Sequence, residues 1–181
     1  MNPRTIASHC LLLAALVMPH PAAAQGARLQ LDHLNKLADK AKETVDVTAD
    51  TAMLKQAAGF LAGKGSDTQK LNQMLDGITG IYVKSFEFDA PGAYTESDID
   101  IIRKQLSAPG WSRVVSVRDK QELTEIYFWR EKDTNGGMVV IAAETDELTV
   151  VNIVGRVDLA SLAALGPMIP NLSGAVRKFS K

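Results

Sequence analysis

The spacing of apolar positions changes character along the chain, and each change marks an element. Leu31, Leu34, Leu37, Ala38 and Ala41 recur at helical spacing with Asp32, Lys36, Asp39, Lys40 and Lys42 between them, which predicts an amphipathic helix within Leu29 to Thr44. Val45-Asp46-Val47-Thr48 then alternates briefly, as a short edge strand ending at the turn-prone Asp50 does. Met53, Leu54, Ala57, Ala58 and Leu61 predict a second helix closed by Gly63 and Gly65. Ser66 or Asp67 caps a third, which carries Leu71, Met74 and Leu75 toward Gly77.

From Ile81 the period becomes two. Ile81, Val83, Ser85 and Glu87 fall on one side of a strand and Tyr82, Lys84, Phe86 and Phe88 on the other, up to the turn Asp89-Ala90-Pro91-Gly92. A helix follows, with Thr95 as its cap, Asp98 three residues on, a stripe of Ile99, Ile102 and Leu106, and Pro109-Gly110 as its stop. Strands are expected at Arg113 to Arg118, Leu123 to Arg130, Met138 to Ala143 and Leu148 to Val154, with Asn135-Gly136-Gly137 as the hairpin turn between the second and third of these. Short connections between consecutive strands favour antiparallel pairing, and helices gathered in the first half favour α+β over alternating α/β. The expected fold is one antiparallel sheet, or a mixed one, with helices packed mainly on one face. Asp158 to Gly166 reads as a further short helix before a polar tail, residues 171–181.

The start of the chain has a different logic. Arg4, the apolar run Cys10 to Met18, the break at Pro19 and Pro21, and small residues at Ala22 and Ala24 are the parts of a secretory signal peptide, with cleavage expected after Ala24. The run is short of the roughly 20 apolar residues a bilayer span requires. His9 immediately before Cys10 does not suit a lipoprotein leader. The expected organisation is thus a leader at 1–24, one domain at 25–170 and a tail at 171–181, the protein being exported to the periplasm or secreted. The single cysteine, Cys10, leaves with the leader, so the mature protein has no disulfide and no thiol nucleophile. With 20 basic and 21 acidic side chains, the chain lacks the basic excess that nucleic-acid binding draws on.

Three stretches, Leu34 to Leu54, Gly80 to Arg118 and Glu147 to Gly166, resemble the DUF4252 family of exported bacterial proteins. The segments Tyr82-Val83-Lys84-Ser85-Phe86-Glu87-Phe88 and Pro109-Gly110-Trp111 carry most of the resemblance. It implies signal or lipoprotein leaders and an association with envelope-signalling genes. It brings no catalytic residue with it.

Chemistry-bearing residues are few. His33 is the one histidine past the leader, set beside the first apolar stripe between charged neighbours, where a boundary role explains it better than a triad or zinc site. Glu87 and Asp89 share a strand face, and Glu96, Asp98 and Asp100 open a helix, where carboxylates favour the dipole. Glu87, Asp89, Glu96 and Asp98 are the set on which a carboxylate-dependent hydrolase, with or without a divalent cation such as calcium, would rest. Asp133-Thr134-Asn135-Gly136 lacks the terminal glutamate of a calcium loop, and Gly63-Lys64-Gly65-Ser66 follows a helix where a phosphate loop follows a strand. No catalytic residue, metal ligand or cofactor site is assigned.

The aromatics carry more weight. Tyr82, Phe86 and Phe88 share one face of their strand, while Tyr127 and Trp129 point opposite to Phe128, so both faces of the sheet hold large apolar groups. Tyr82, Phe86, Phe88, Tyr127 and Trp129 are the candidate binding face, with core filling as their competing role. Trp111 is expected to anchor the chain where the helix turns into the next strand. The reading that follows is a non-enzymatic envelope protein binding a partner protein or an apolar ligand through a sheet face. A carboxylate hydrolase and an accessory protein of envelope signalling are the alternatives.

Overall fold

Every strand that the alternation predicts is present in the computed structural model, which describes residues 26–61, 75–131 and 134–156. They are β1 (Glu43–Asp50), β2 (Ile78–Glu87), β3 (Trp111–Asp119), β4 (Glu122–Glu131), β5 (Thr134–Ala143) and β6 (Glu147–Gly155). The six strands form one sheet in the order β1-β2-β6-β5-β4-β3, and all five pairings are antiparallel. Hairpins join β3 to β4, β4 to β5 and β5 to β6, so only the excursion from β2 to β3 crosses the sheet, by way of a helix. The leader at 1–24, most of the third helix, the segment 158–166 and the tail lie outside the described residues.

Strand registers sort the side chains onto two faces. The first carries Phe86, Leu148, Val150, Val139, Ile141, Leu123 and Tyr127, and it is covered by Leu34 and Leu37 from a 3₁₀ helix (Asp32–Lys40) and by Ile99, Ile102 and Leu106 from an α-helix (Glu96–Leu106). The second carries Ile81, Val83, Val151, Ile153, Met138, Val140, Ile126 and Phe128, with Leu54 of another α-helix (Thr51–Leu61) packed against it. We label the helix 51–61 α1 and the helix 96–106 α2. The described helices are thus divided between the faces. None of them is long and apolar enough to cross a membrane.

Two local features depart from expectation. The first helix is 3₁₀ and begins later, at Asp32. Leu31, Leu34 and Leu37 are all buried, a spacing of three that suits three residues per turn, whereas Ala38, which an α-helical stripe would bury, is exposed. The Asn135-Gly136-Gly137 turn is corrected: all three residues belong to β5, with Asn135 opposite Arg130 and Gly137 opposite Trp129 across a register shift. The glycines make room for the Trp129 indole, since a Cβ at Gly136 would lie 2.6 Å from Cε3 and one at Gly110, whose φ is +98°, would lie 2.6 Å from Nε1. Trp111 pairs with Trp129 across β3 and β4 and is half-buried beside it, the anchoring position expected of it.

The α2 start is built as the sequence implies. The Asp98 carboxylate accepts hydrogen bonds from the Thr95 backbone N–H at 2.8 Å and from its hydroxyl at 2.9 Å. Asp98 also receives Lys36 Nζ of the 3₁₀ helix at 2.7 Å, which ties the two covering elements of the first face together.

Candidate functional site

Four of the five candidate aromatics fill the core of the first face. Phe86 and Phe88 are stacked with centroids 6.4 Å apart and Phe88 also meets Tyr94, while Tyr127 and Trp129 are buried further along the sheet. Tyr82 is the exception. It is half-buried, near the β1 edge, and it lines a cleft of about 290 Å³ between the first face and the chain segment that precedes the 3₁₀ helix.

The floor of this cleft follows from strand register. Thr48 lies opposite Tyr82 and Asp46 opposite Lys84, so alternation sets all four side chains on the same face. Lys84 Nζ donates to Asp46 Oδ2 at 2.5 Å and to Asn35 Oδ1 at 2.7 Å, linking β1, β2 and the 3₁₀ helix. The roof is residues 28–32, and a single buried side chain holds it in place. Asn152, fully buried on β6, accepts from the Leu29 backbone N–H at 2.9 Å and donates to the Ala27 carbonyl at 2.9 Å. Arg28, between those two anchored residues, therefore has a fixed backbone. Its guanidinium carbon lies 4.4 Å from the centroid of the Tyr82 ring. Stacking engages the flat face of the guanidinium and leaves the N–H edge for a planar acceptor.

Farther along the same face lies a polar cluster of another kind. Glu125, with a side chain only 2% exposed, accepts from Arg103 Nε at 3.0 Å, from Arg113 Nη1 at 2.9 Å and from the Tyr127 hydroxyl at 3.2 Å. Arg103 reaches in from α2 and also bonds Glu96 at 2.5 Å and Asp100 at 3.0 Å. Burial works against its charge, but these carboxylates more than offset that and hold the guanidinium more basic than usual. Burial beside Glu125 raises the Tyr127 phenol. Both oxygens of the buried Glu125 carboxylate are committed to these donors, so the cluster reads as a structural lock.

The carboxylates named from the sequence do not converge. Glu87 lies on β2 in a cross-strand row with Glu43 and Glu147, and Lys42 meets it at 2.5 Å. Asp89 is exposed in the turn after β2, Glu96 pairs with Arg103, and Asp98 closes the cap of α2. Among the described residues no group of three or more His, Cys, Asp or Glu is placed to hold a metal ion. His33 is a boundary residue, its Nε2 3.1 Å from the Asp98 carbonyl oxygen. The glycine-lysine stretch at 63–66 lies outside the described residues.

Sequence reasoning missed Asn152 and Glu125, although each leaves a trace. Asn152 interrupts the apolar run Val150-Val151-Asn152-Ile153-Val154, and Glu125 has the same strand parity as Leu123, Tyr127 and Trp129. A polar side chain at an inward position needs a built partner, and both have one. Arg28 leaves no such trace, because its role comes from the anchoring of its neighbours.

Neither a curated protein nor a solved structure matches the chain. The model of the family described as "Domain of unknown function (DUF4252)" matches residues 38–165, a span that holds the whole sheet and leaves the roof of the cleft outside it, and the chain belongs to that family.

Proposed function

We propose that the chain is an exported, non-enzymatic binding module that takes a carboxylate-bearing ligand in the cleft between Arg28, Tyr82 and Lys84, with residues 1–24 serving as a leader cleaved after Ala24. The observation that carries the binding site is Arg28. Its guanidinium rests on an aromatic face with no carboxylate ion partner among the described residues, on a backbone that Asn152 holds from both sides. A charge fixed in this way is arranged for an acceptor from outside, and a carboxylate suits the guanidinium edge bidentately. Lys84 adds a second cation, one already paired with Asp46, and Asp32, Thr48, Asn35 and Gln30 are the other polar residues of the lining, which favours a polar ligand over the apolar one expected from the aromatics. The scattering of Glu87, Asp89, Glu96 and Asp98 over separate elements favours this reading over a hydrolase built on those four carboxylates.

The test is an NMR titration of the purified protein with two probes, a short acidic peptide and a small dicarboxylate, repeated on Arg28→Ala. Saturable shifts at Tyr82 and Thr48 with one probe, weakened at least about tenfold by the substitution, identify the ligand class. Absence of saturable shifts with both probes, or binding that Arg28→Ala leaves intact, overturns the reading. N-terminal sequencing of the protein recovered from its cell tests the leader, and a mature chain that starts elsewhere than Gln25 rejects the proposed cleavage.

A further inference from the structure

Among the described residues the sheet has two edge strands of opposite net charge. β1 carries Glu43, Asp46 and Asp50 and no basic residue and is preceded by Lys42, whereas β3 carries Arg113 and Arg118 with one carboxylate, Asp119, at its end and is followed by Lys120. Both strands are exposed along most of their length, and among the described residues each has one strand partner, β2 for β1 and β4 for β3. Edge strands present unpaired backbone donors and acceptors, and proteins normally guard them with charge. The charge that predominates on each edge guards against like pairing: β1 meeting β1 brings Glu43, Asp46 and Asp50 together, and β3 meeting β3 brings arginines together. They do not guard against β1 meeting β3.

We propose that copies of this chain associate edge to edge, β1 of one copy against β3 of the next, extending the antiparallel sheet from molecule to molecule. The strand directions permit it. Five successive antiparallel pairings leave β1 and β3 running in opposite directions, so two copies related by translation across the sheet bring these edges together as an antiparallel pair.

The side chains match on both faces. On the first face β1 presents Thr44, Asp46 and Thr48, and β3 presents Ser116 and Arg118. On the second face β1 presents Val45, Val47 and Ala49, and β3 presents Val115, Val117 and, at its end, Asp119. With Asp46 set opposite Arg118, Thr48 meets Ser116, Val47 meets Val117 and Ala49 meets Val115, so at the centre of the contact charge meets opposite charge on one face and apolar meets apolar on the other, while Val45 meets Asp119 at its margin. The two valines at the centre of this register, Val47 at 37% exposure and Val117 at 38%, are among the few large apolar residues the described chain leaves in solvent. The matched stretch of β3 begins after the irregularity between Arg113 and Val115, where its pairing is regular.

Such a contact is head to tail and does not close on itself, so it grows with concentration rather than stopping at a dimer. A single strand pair buries far less than the ~1,200 Å² of a stable interface, which makes the association weak and salt-sensitive.

Sedimentation velocity on the purified protein over a concentration series tests this with Asp46→Lys, Arg118→Glu and an equimolar mixture of the two variants. Mass that grows with concentration in the parent, that falls at least about tenfold in apparent affinity in each variant alone, and that returns in the mixture supports β1–β3 pairing, because the mixture restores opposite charges at every contact. A parent that stays monomeric throughout overturns the proposal, as does association that Arg118→Glu leaves unchanged. Asp46 also pairs with Lys84, so Arg118→Glu, at an exposed side chain, decides the matter if Asp46→Lys fails to fold.

Discussion

Two ends of the first sheet face begin from the same pattern and finish differently. Tyr82 and Tyr127 lie in one cross-strand row, joined through Asn152 and Val139, and Lys84 and Glu125 lie in the next, joined through Val150 and Ile141. Each end therefore offers a tyrosine beside a charge, with two strands, β6 and β5, between it and its counterpart. At the β4 end, α2 lies across the sheet, Arg103 descends onto Glu125, and the polar groups are sealed with their partners. At the β2 end, the cover is an extended segment and a 3₁₀ helix. The 3₁₀ helix spends its three-residue period on Leu34 and Leu37 and leaves only short polar groups, Asp32 and Asn35, over Lys84. A sealed charge must keep its partners, whereas a wetted one exchanges them at little cost. That difference is why we propose the β2 end, and not the β4 end, as the place for a ligand.

The comparison breaks most easily at Glu125. Replacing it with leucine leaves the Arg103 guanidinium and the Tyr127 hydroxyl without the acceptor they share, and removal of one member of a buried ion pair costs about 3–5 kcal/mol. Urea denaturation of Glu125→Leu measures it. The double variant Glu125→Leu with Arg103→Met is expected to recover part of the loss, because the guanidinium that has lost its buried acceptor, and keeps only the exposed Glu96 and Asp100, is then gone. A loss under about 1 kcal/mol in the single variant would mean that the sealed end is wetter than its geometry implies.

Asp98 sharpens the comparison, since it joins the cover of one end to the cover of the other. Its burial pushes the carboxyl up, but hydrogen bonds from Lys36 and Thr95 outweigh that and hold it below the usual carboxylate range. A carboxyl depressed in the folded state contributes stability above its unfolded value of about 3.8, and this contribution is lost as the pH falls through the lower folded value. Asp98→Asn is expected to cost about 1–2 kcal/mol at neutral pH through the cap and the ion pair, with the gap between parent and variant narrowing in acid below the unfolded value. Thermal melts at neutral pH and in acid read both. A gap independent of pH would show that the amide fails by shape and that the charge is not what joins the covers.

The strands were legible because a sheet face imposes a period of two, which β2 carries in the chain itself, and because β4, buried on both faces, is a short run rich in β-branched and aromatic residues. The α2 cap was legible for a similar reason, its donors and acceptor lying within Thr95 to Asp98. What escaped depends on distant parts of the chain. Alternation says which face Tyr82 and Tyr127 share but nothing of what covers each, so five aromatics that look equivalent as a binding face separate into four core residues and one cleft residue. The Gly136-Gly137 pair carries a turn signal by composition, and only distant neighbours, Trp129 against Gly136 and Ala27 against Gly137, explain why glycines stand within β5 instead. The 3₁₀ helix shows its period in Leu31, Leu34 and Leu37, yet the added Ala38 and Ala41 read equally well as an α-helical stripe.

The smallest effect on stability belongs to Lys84, and it sets the two ends directly against each other. Lys84 occupies at the open end the place that Glu125 holds at the sealed one; its own side chain is 14% exposed, but its partner Asp46 is 52% exposed and keeps its water when the pair is broken. Lys84→Met retains the aliphatic stem over β2 and removes only the ammonium, so the expected loss is under about 1 kcal/mol, several times smaller than that of Glu125→Leu. The cleft feels the change more. Without the ammonium, Asp46 places an uncompensated negative charge beside Arg28 and Tyr82, and the affinity for a carboxylate probe falls while the melting temperature hardly moves. Equal losses of stability from Lys84→Met and Glu125→Leu would mean that the extended segment seals its end as firmly as α2 does. The opening beside Tyr82 would then be a gap in packing, and Arg28 would have only the tyrosine ring to hold.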